Sequence, residues 1–292
     1  MPHEYGDGMK TQKRVRALVT VAALFATVAA AGAQQAADPR VADIVRAGKV
    51  RIGLHLPQFV RDPKTGEIRG HGTGAVIVPI AQALADRLGV KLELVGHQSP
   101  PALVTCLQAG DCDAGFLGFA QQRTKDVDYA APHIMVPFTY LVPPTSPVRT
   151  IADADKLGVR IAAVRHHTST HALHQIIKHA TMIEVTIPDE AFELVRSGKA
   201  DAYASPRPPI LEYATQLSGS RVLDGYYGAN IQAIALAKGQ AARLAYVSAF
   251  VADAKASGLI QKAIDSVGER GIDVFPQDSP ILTGTVPGGG KH

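Results

Sequence analysis

Apolar positions along the chain fall into two alternating kinds of run. Residues 50–54 follow the turn-forming Ala47-Gly48-Lys49 and predict a short strand. Residues 78–88 carry apolar side chains at helical spacing and stop at Gly89, a residue type that closes helices in the left-handed conformation. Residues 91–95 alternate as a strand, 101–108 predict a helix closed by Ala109-Gly110, and 113–117 predict the next strand. After Pro143-Pro144 the order recurs, with strand 159–164, helix 170–180, strand 182–187 and helix 190–196. Such alternation predicts an α/β fold of mostly parallel sheets covered by helices.

The two blocks share a local echo. Leu107-Gln108-Ala109-Gly110-Asp111-Cys112-Asp113-Ala114 parallels Val195-Arg196-Ser197-Gly198-Lys199-Ala200-Asp201-Ala202: a helix end, a Gly free to take positive φ, then Asp-Ala entering a strand. Residues 138–142 and 231–236 are extended and apolar, one on each side of the second block, and 241–256 and 259–267 continue as helices. The chain is therefore expected to leave a first lobe, build a second and return. Lobe 1 comprises 34–142 plus 236–286, lobe 2 comprises 143–235, two hinge crossings join them, and 287–292 is a tail.

Composition narrows the class. The 292 residues are 46% hydrophobic and 19% charged, which excludes a disordered chain and leaves ample core for two lobes. The formal charge is +4, and leaving out the four basic and two acidic residues of the first 33 gives 26 basic against 24 acidic groups, a net of +2. That balance offers little for nucleic acid, despite a pI near 9.0. Residues 10–16 are basic, 17–31 are almost continuously apolar, and Ala31-Gly32-Ala33 supplies small residues for cleavage. The apolar stretch is shorter than the ~20 residues of a spanning helix, so 1–33 is expected to be a secretory leader and the mature chain periplasmic; an uncleaved anchor is the alternative. Cys106 and Cys112, six positions apart, are in that setting either a disulfide or two small buried hydrophobes. Their spacing matches neither a Cys-x-x-Cys motif nor a zinc ligand set.

The ordered blocks Gly48-Lys49-Val50-Arg51-Ile52-Gly53, 62–70, 83–90, Gly110-Asp111-Cys112-Asp113-Ala114-Gly115-Phe116-Leu117, 123–132 and 254–259 resemble the family 3 extracellular solute-binding proteins of ABC importers, mostly amino-acid receptors. The resemblance implies a two-lobed, type II periplasmic-binding-protein fold that closes on a solute and presents it to a membrane permease. The implied partners are a small anionic or zwitterionic solute and an ABC permease in the inner membrane, with no cofactor and a monomeric chain. It also implies site residues. Arg123 stands in the block where the family grips a ligand carboxylate, six positions before Tyr129, and a guanidinium fork matches a carboxylate as a Lys cannot. The bland alternative is a solvated surface Arg. Ala120 replaces the family's Thr in that block.

Thr168 and Ser169 open the helix after strand 159–164, where orphan N–H groups bind anions; simple N-capping is the alternative. His167 stands where the family has Gly. His55, Gln58 and Phe59 follow the first strand, where the family often places an aromatic lid, and His133 stands where a Tyr commonly follows the Pro. Two acids that hold the α-ammonium in amino-acid receptors are missing, one at Pro206 and one around Val76-Ile77-Val78-Pro79. A buried ammonium without an anion is several kcal/mol unfavourable. The ligand expected is an organic anion without a free α-amine, or an amino acid read in an altered way, with Arg207 suited to a second anionic group. His166, His167, His171 and His174 are read as a polar helix surface rather than a metal site. The rival reading is an enzyme on the same fold, a cyclohexadienyl or arogenate dehydratase, with His133, His167 or a carboxylate as general acid.

Overall fold

A computed structural model describes residues 38–66 and 68–276. The expected leader (1–33) and tail (287–292) lie outside the described residues. The chain begins with α1 (Ala42–Ala47), β1 (Lys49–His55), the hairpin strands β2 (Phe59–Arg61) and β3 (Ile68–Gly70), and α2 (Thr73–Leu88). It continues through β4 (Lys91–His97), α3 (Pro100–Ala109), β5 (Ala114–Gly118), β6 (Val127–Tyr129) and β7 (Ile134–Val142). Next come β8 (Arg160–Val164), α4 (Thr168–Ile176), β9 (Thr181–Val185), α5 (Pro188–Arg196), β10 (Ala202–Pro206) and α6 (Arg207–Ala214). The last elements are β11 (Arg221–Val222), β12 (Gly228–Ala237), α7 (Ala241–Ala256), α8 (Leu259–Ser266) and β13 (Asp273–Val274). No helix among the described residues is long and apolar enough to cross a membrane.

The main sheet runs β4-β1-β5-β12-β7-β10-β8-β9. Its two ends mirror each other. β4, β1 and β5 are mutually parallel and meet β12 antiparallel, while β9, β8 and β10 are mutually parallel and meet β7 antiparallel. β7 and β12 pair with each other at the centre and are the two crossings the sequence anticipates. The inner parallel strands β5, β8 and β10 are covered on both faces and read as largely apolar runs, whereas the edge strand β4 keeps its alternation. On β1, Val50, Ile52 and Leu54 face α2, α7 and α8 in one core, while Gly53 lies against Leu103 and Cys112 in the layer under α3. On β8, Ile161 and Ala163 pack with Leu173 of α4, and Ala162 and Val164 pack with Phe192 and Val195 of α5.

The sequence echo becomes one clasp built twice. Asp113 accepts the Arg51 backbone N–H at 2.7 Å and Arg51 Nη2 at 2.8 Å, and Arg51 Nη2 also donates to the Gly110 carbonyl. Asp201 does the same for Arg160, at 2.8 Å and 2.9 Å, with Arg160 Nη2 donating to the Gly198 carbonyl. Gly110 and Gly198 take φ of 75° and 72°, the left-handed turn each clasp closes over. The bonds from Arg160 hold the Asp201 carboxyl below its ordinary range.

Two helix ends differ from expectation. α2 starts at Thr73 rather than 78, since burial of Val76 and Ile77 draws a further turn into the helix ahead of Pro79. α4 stops at Ile176 because Asp155 Oδ1 accepts the N–H groups of Lys178, His179 and Ala180 and holds that segment out of the helix. The disulfide alternative for the two cysteines holds, since Cys106 and Cys112 are bonded.

His133 is a core residue, which removes it as a cleft-facing group and as a general acid. It is fully buried, meets Phe116 edge-on at 5.1 Å between ring centres, and neither ring nitrogen has a hydrogen-bond partner. Burial, with Lys255 nearby, lowers its pKa to about 3.

Two outcomes follow. Asp201→Asn should cost about 1–3 kcal/mol at neutral pH, as bonds to a charged acceptor are lost. An Asp with a depressed folded pKa stabilises above its unfolded pKa of about 3.9 and ceases to as pH falls through the folded value, so urea melts of variant and parent should converge in acid. For His133 the unfolded chain takes up a proton below about pH 6.5 and the folded chain does not until about 3, so stability drops by about 1.4 kcal/mol per pH unit between them. His133→Leu should remove that slope in melts across the same range and leave neutral-pH stability equal or higher; an unchanged slope would refute the assignment.

Candidate functional site

In parallel α/β sheets ligands gather outside the carboxyl ends of the strands, where helix N-termini and loops leave donors unpaired. Here two such edges exist, the ends of β1 and β5 in one set and the ends of β8 and β10 in the other. β12 ties them together. Its Gln232 pairs with Gly118 at the end of β5, and its Gly228 pairs with Phe138, where a Cβ would come within 3.4 Å of Ala172 in α4. Four residues of strand separate these points, about 13 Å at 3.3 Å per residue.

On the first edge, Ala120 is the extended N-cap of a tight turn, Gln121–Lys125, that carries Arg123. The turn is closed by the Arg123 N–H to the Ala120 carbonyl and fixed to the sheet by the Phe119 N–H to the Ile231 carbonyl. Arg123 is half-buried and donates from Nη1 to the Gly118 carbonyl at 2.7 Å, a carbonyl that also accepts the Tyr129 hydroxyl. Phe119 and Tyr129 meet at a tilt of 56° with ring centres 5.1 Å apart. Arg51, Arg87, Arg160, Arg207 and Arg243 each meet a carboxylate, whereas no described carboxylate pairs with Arg123. A guanidinium anchored through one nitrogen, with the rest of its fork unmatched, suits an incoming anion.

On the second edge, His166 turns the chain with φ of 66°, the sole non-glycine positive φ among the described residues. His167 is the N-cap of α4, and its side chain does not cap. Thr168 is the exposed first residue. Ser169 is 1% exposed, and its hydroxyl lies beside that of Tyr227 without meeting hydrogen-bond geometry. Thr170 alone is committed, donating its hydroxyl to the Val164 carbonyl at 2.6 Å. The capping alternative for Thr168 and Ser169 therefore fails; the Thr170 N–H donates to the His167 carbonyl, while no described group accepts the Thr168 and Ser169 N–H.

The other sequence candidates take different roles. His55 ends β1, half-buried. Gln58 is occupied, its side-chain amide donating to Thr73 Oγ1 at 2.9 Å and its carbonyl accepting the His71 N–H. That carbonyl also crowds Gly74, where any Cβ would sit 2.0 Å from it. Phe59 is 3% exposed within the first core, so it is packing and not a lid. Arg207 pairs with Asp273 at 2.7 Å, so its charge is already matched. Val76 and Ile77, where a family acid is missing, are fully buried in the first core. Asp273 is the group that sequence reading missed. It reaches Arg207, 66 positions away in sequence, because β13 adds to β7 at Met135, a pairing that no local pattern signals. His171 is exposed and His174 bonds Glu184 at 2.9 Å, so the histidine run is a polar surface.

Known proteins share this fold. A glutamine-binding protein of Geobacillus stearothermophilus is 26% identical over 203 residues, covering 67% of this chain and 75% of its own length. Among solved structures, an ancestral cyclohexadienyl dehydratase superposes with a TM-score of 0.57 at 25% identity, covering 78% of this chain and 95% of its own. An ancestral cationic amino acid solute-binding protein gives 0.56 at 26%, covering 77% and 97%. Both share the two-lobed type II arrangement. The profile of the bacterial extracellular solute-binding proteins, family 3, matches residues 54–268, and the chain belongs to that family.

Proposed function

We propose that this chain is the receptor of an ABC importer, binding a small carboxylate-bearing solute between lobes 34–142 plus 236–286 and 143–235 and passing it to a permease. The observation that carries the reading is the pair of unmatched donor sets, the Arg123 fork and the uncapped start of α4, bordering one gap. Each set alone is a weak anion site. Together they give a ligand differential contacts that favour the closed arrangement, which is what drives hinge closure. β7 and β12 act as the hinge.

A dehydratase reading draws support from the ancestral enzyme's similarity, which the ancestral binding protein equals. With His133 neutral and buried, His167 is the imidazole left for acid catalysis on that reading.

A thermal-shift screen against amino acids, small organic acids, sulfonates and phosphonates tests the receptor role. A true ligand at a hundred times its Kd stabilises the chain by ~2.7 kcal/mol. Arg123→Ala should weaken that ligand by about tenfold to a hundredfold through loss of a charge-assisted bond, and Arg123→Lys should not restore it. Binding unchanged in both variants would refute the role of Arg123. Incubation with prephenate or arogenate, followed by absorbance, should show no turnover; turnover abolished by His167→Ala would establish the enzyme instead.

A further inference from the structure

The face of the first sheet that packs under α3 gathers soft metal ligands from three separate elements. Cys106 lies on α3, Cys112 on the turn that follows, and His97 at the end of β4. Their ligand atoms lie within 4.8 Å of one another, with His97 Nε2 3.4 Å from Cys112 Sγ. That contact is the one polar contact of the His97 side chain among the described residues. A fourth candidate stands alongside. β1 and β4 pair in parallel register with His55 opposite His97, so the two imidazoles share a sheet face on strands about 4.8 Å apart. Gly53, two residues earlier on that face, leaves room for sulfur, since a Cβ there would sit 3.2 Å from Cys112 Sγ. The cysteines themselves are buried, at 7% and 4% exposure, while His97 and His55 are partly open to solvent.

We infer that reduction of Cys106–Cys112 opens a metal site for a thiophilic d10 cation such as Zn²⁺, with Cys106, Cys112 and His97 as ligands and His55, which lies outside their cluster, turning its ring in as the fourth. As a disulfide, neither sulfur is a thiolate and the set is closed. A dithiol reductant, itself oxidised to its disulfide, delivers two electrons and two protons, so that the S–S bond breaks and two thiols form. Metal binding then displaces those two protons, giving two thiolates and two imidazoles, a common tetrahedral zinc set. Sequence spacing conceals the site because His97 arrives from a neighbouring strand. This inference is independent of the solute reading, although His55 links the site to the loop beside the proposed gap.

The full chain, reduced with a phosphine and freed of reductant under argon, is titrated with Zn²⁺ against a chromophoric competitor and with Co²⁺ followed by absorbance. One equivalent should bind to the reduced chain, with thiolate-to-cobalt charge-transfer bands, and none at that affinity to the oxidised chain. Cys106→Ser should abolish the bands. His97→Ala should weaken binding at least as much as loss of an outer-shell partner, about 10–100-fold. Should the reduced chain lose structure, metal must restore its far-ultraviolet circular dichroism. The inference is overturned if the reduced chain takes no metal, if it stays unfolded in metal, if oxidised and reduced chains bind alike, or if His97→Ala binds as tightly as the parent.

Discussion

The antiparallel pairing of β7 with β12 is the constraint from which the rest of the architecture follows. Each strand closes a parallel set, β12 beside β5 and β7 beside β10, and the two then pair with each other at the centre. This single arrangement ties the carboxyl edges of both sets to neighbouring stretches of one strand, so donors from distant parts of the chain border a common gap. It also requires both strands to be buried on both faces in the middle of the sheet. β7 meets that demand with nine consecutive buried residues, and the Thr139 hydroxyl within that run donates to the Leu223 carbonyl. An unpaired polar group there would weaken both halves together.

The repeated Arg–Asp clasp gives each half its own internal registration. In both, a carboxylate at the strand entrance fixes a backbone N–H and a guanidinium of the adjacent strand, and the guanidinium fixes the carbonyl of a left-handed glycine. Each set is thus braced at the edge away from the gap. On the proposed receptor reading, this bracing supports the walls of the site and leaves relative motion to the central crossing.

Much of this was legible in the sequence because it rests on local pattern. The strands at 50–54, 91–95 and 159–164, the glycine turns at 110 and 198, and the recurrence of Asp-Ala all lie within a few residues of their signals. What escaped depends on partners far along the chain. Asp273 reaches Arg207 through a two-residue strand, and Asp155 shortens α4 by accepting three backbone donors more than twenty positions away. Phe59 and His133 were misplaced for a related reason: an aromatic ring in a loop-like segment carries no mark of the face it will turn to. The short β2–β3 hairpin carries Phe59 inward. The site was half legible: a motif located Arg123, but only geometry shows that its fork lacks a carboxylate and that α4 lacks a side-chain cap.

His166 holds a left-handed backbone that glycine would adopt freely, at a cost of about 1–2 kcal/mol to any L side chain. The imidazole is exposed and its burial recovers nothing. The chain therefore keeps a small reserve of conformational tension at the very bend that aims the first turn of α4, a bend the neighbouring Thr170 hydroxyl pins down. On the proposed receptor reading, a stiff elbow of this kind presents its amides in one orientation before any guest arrives, trading some folding stability for a smaller entropic penalty on capture.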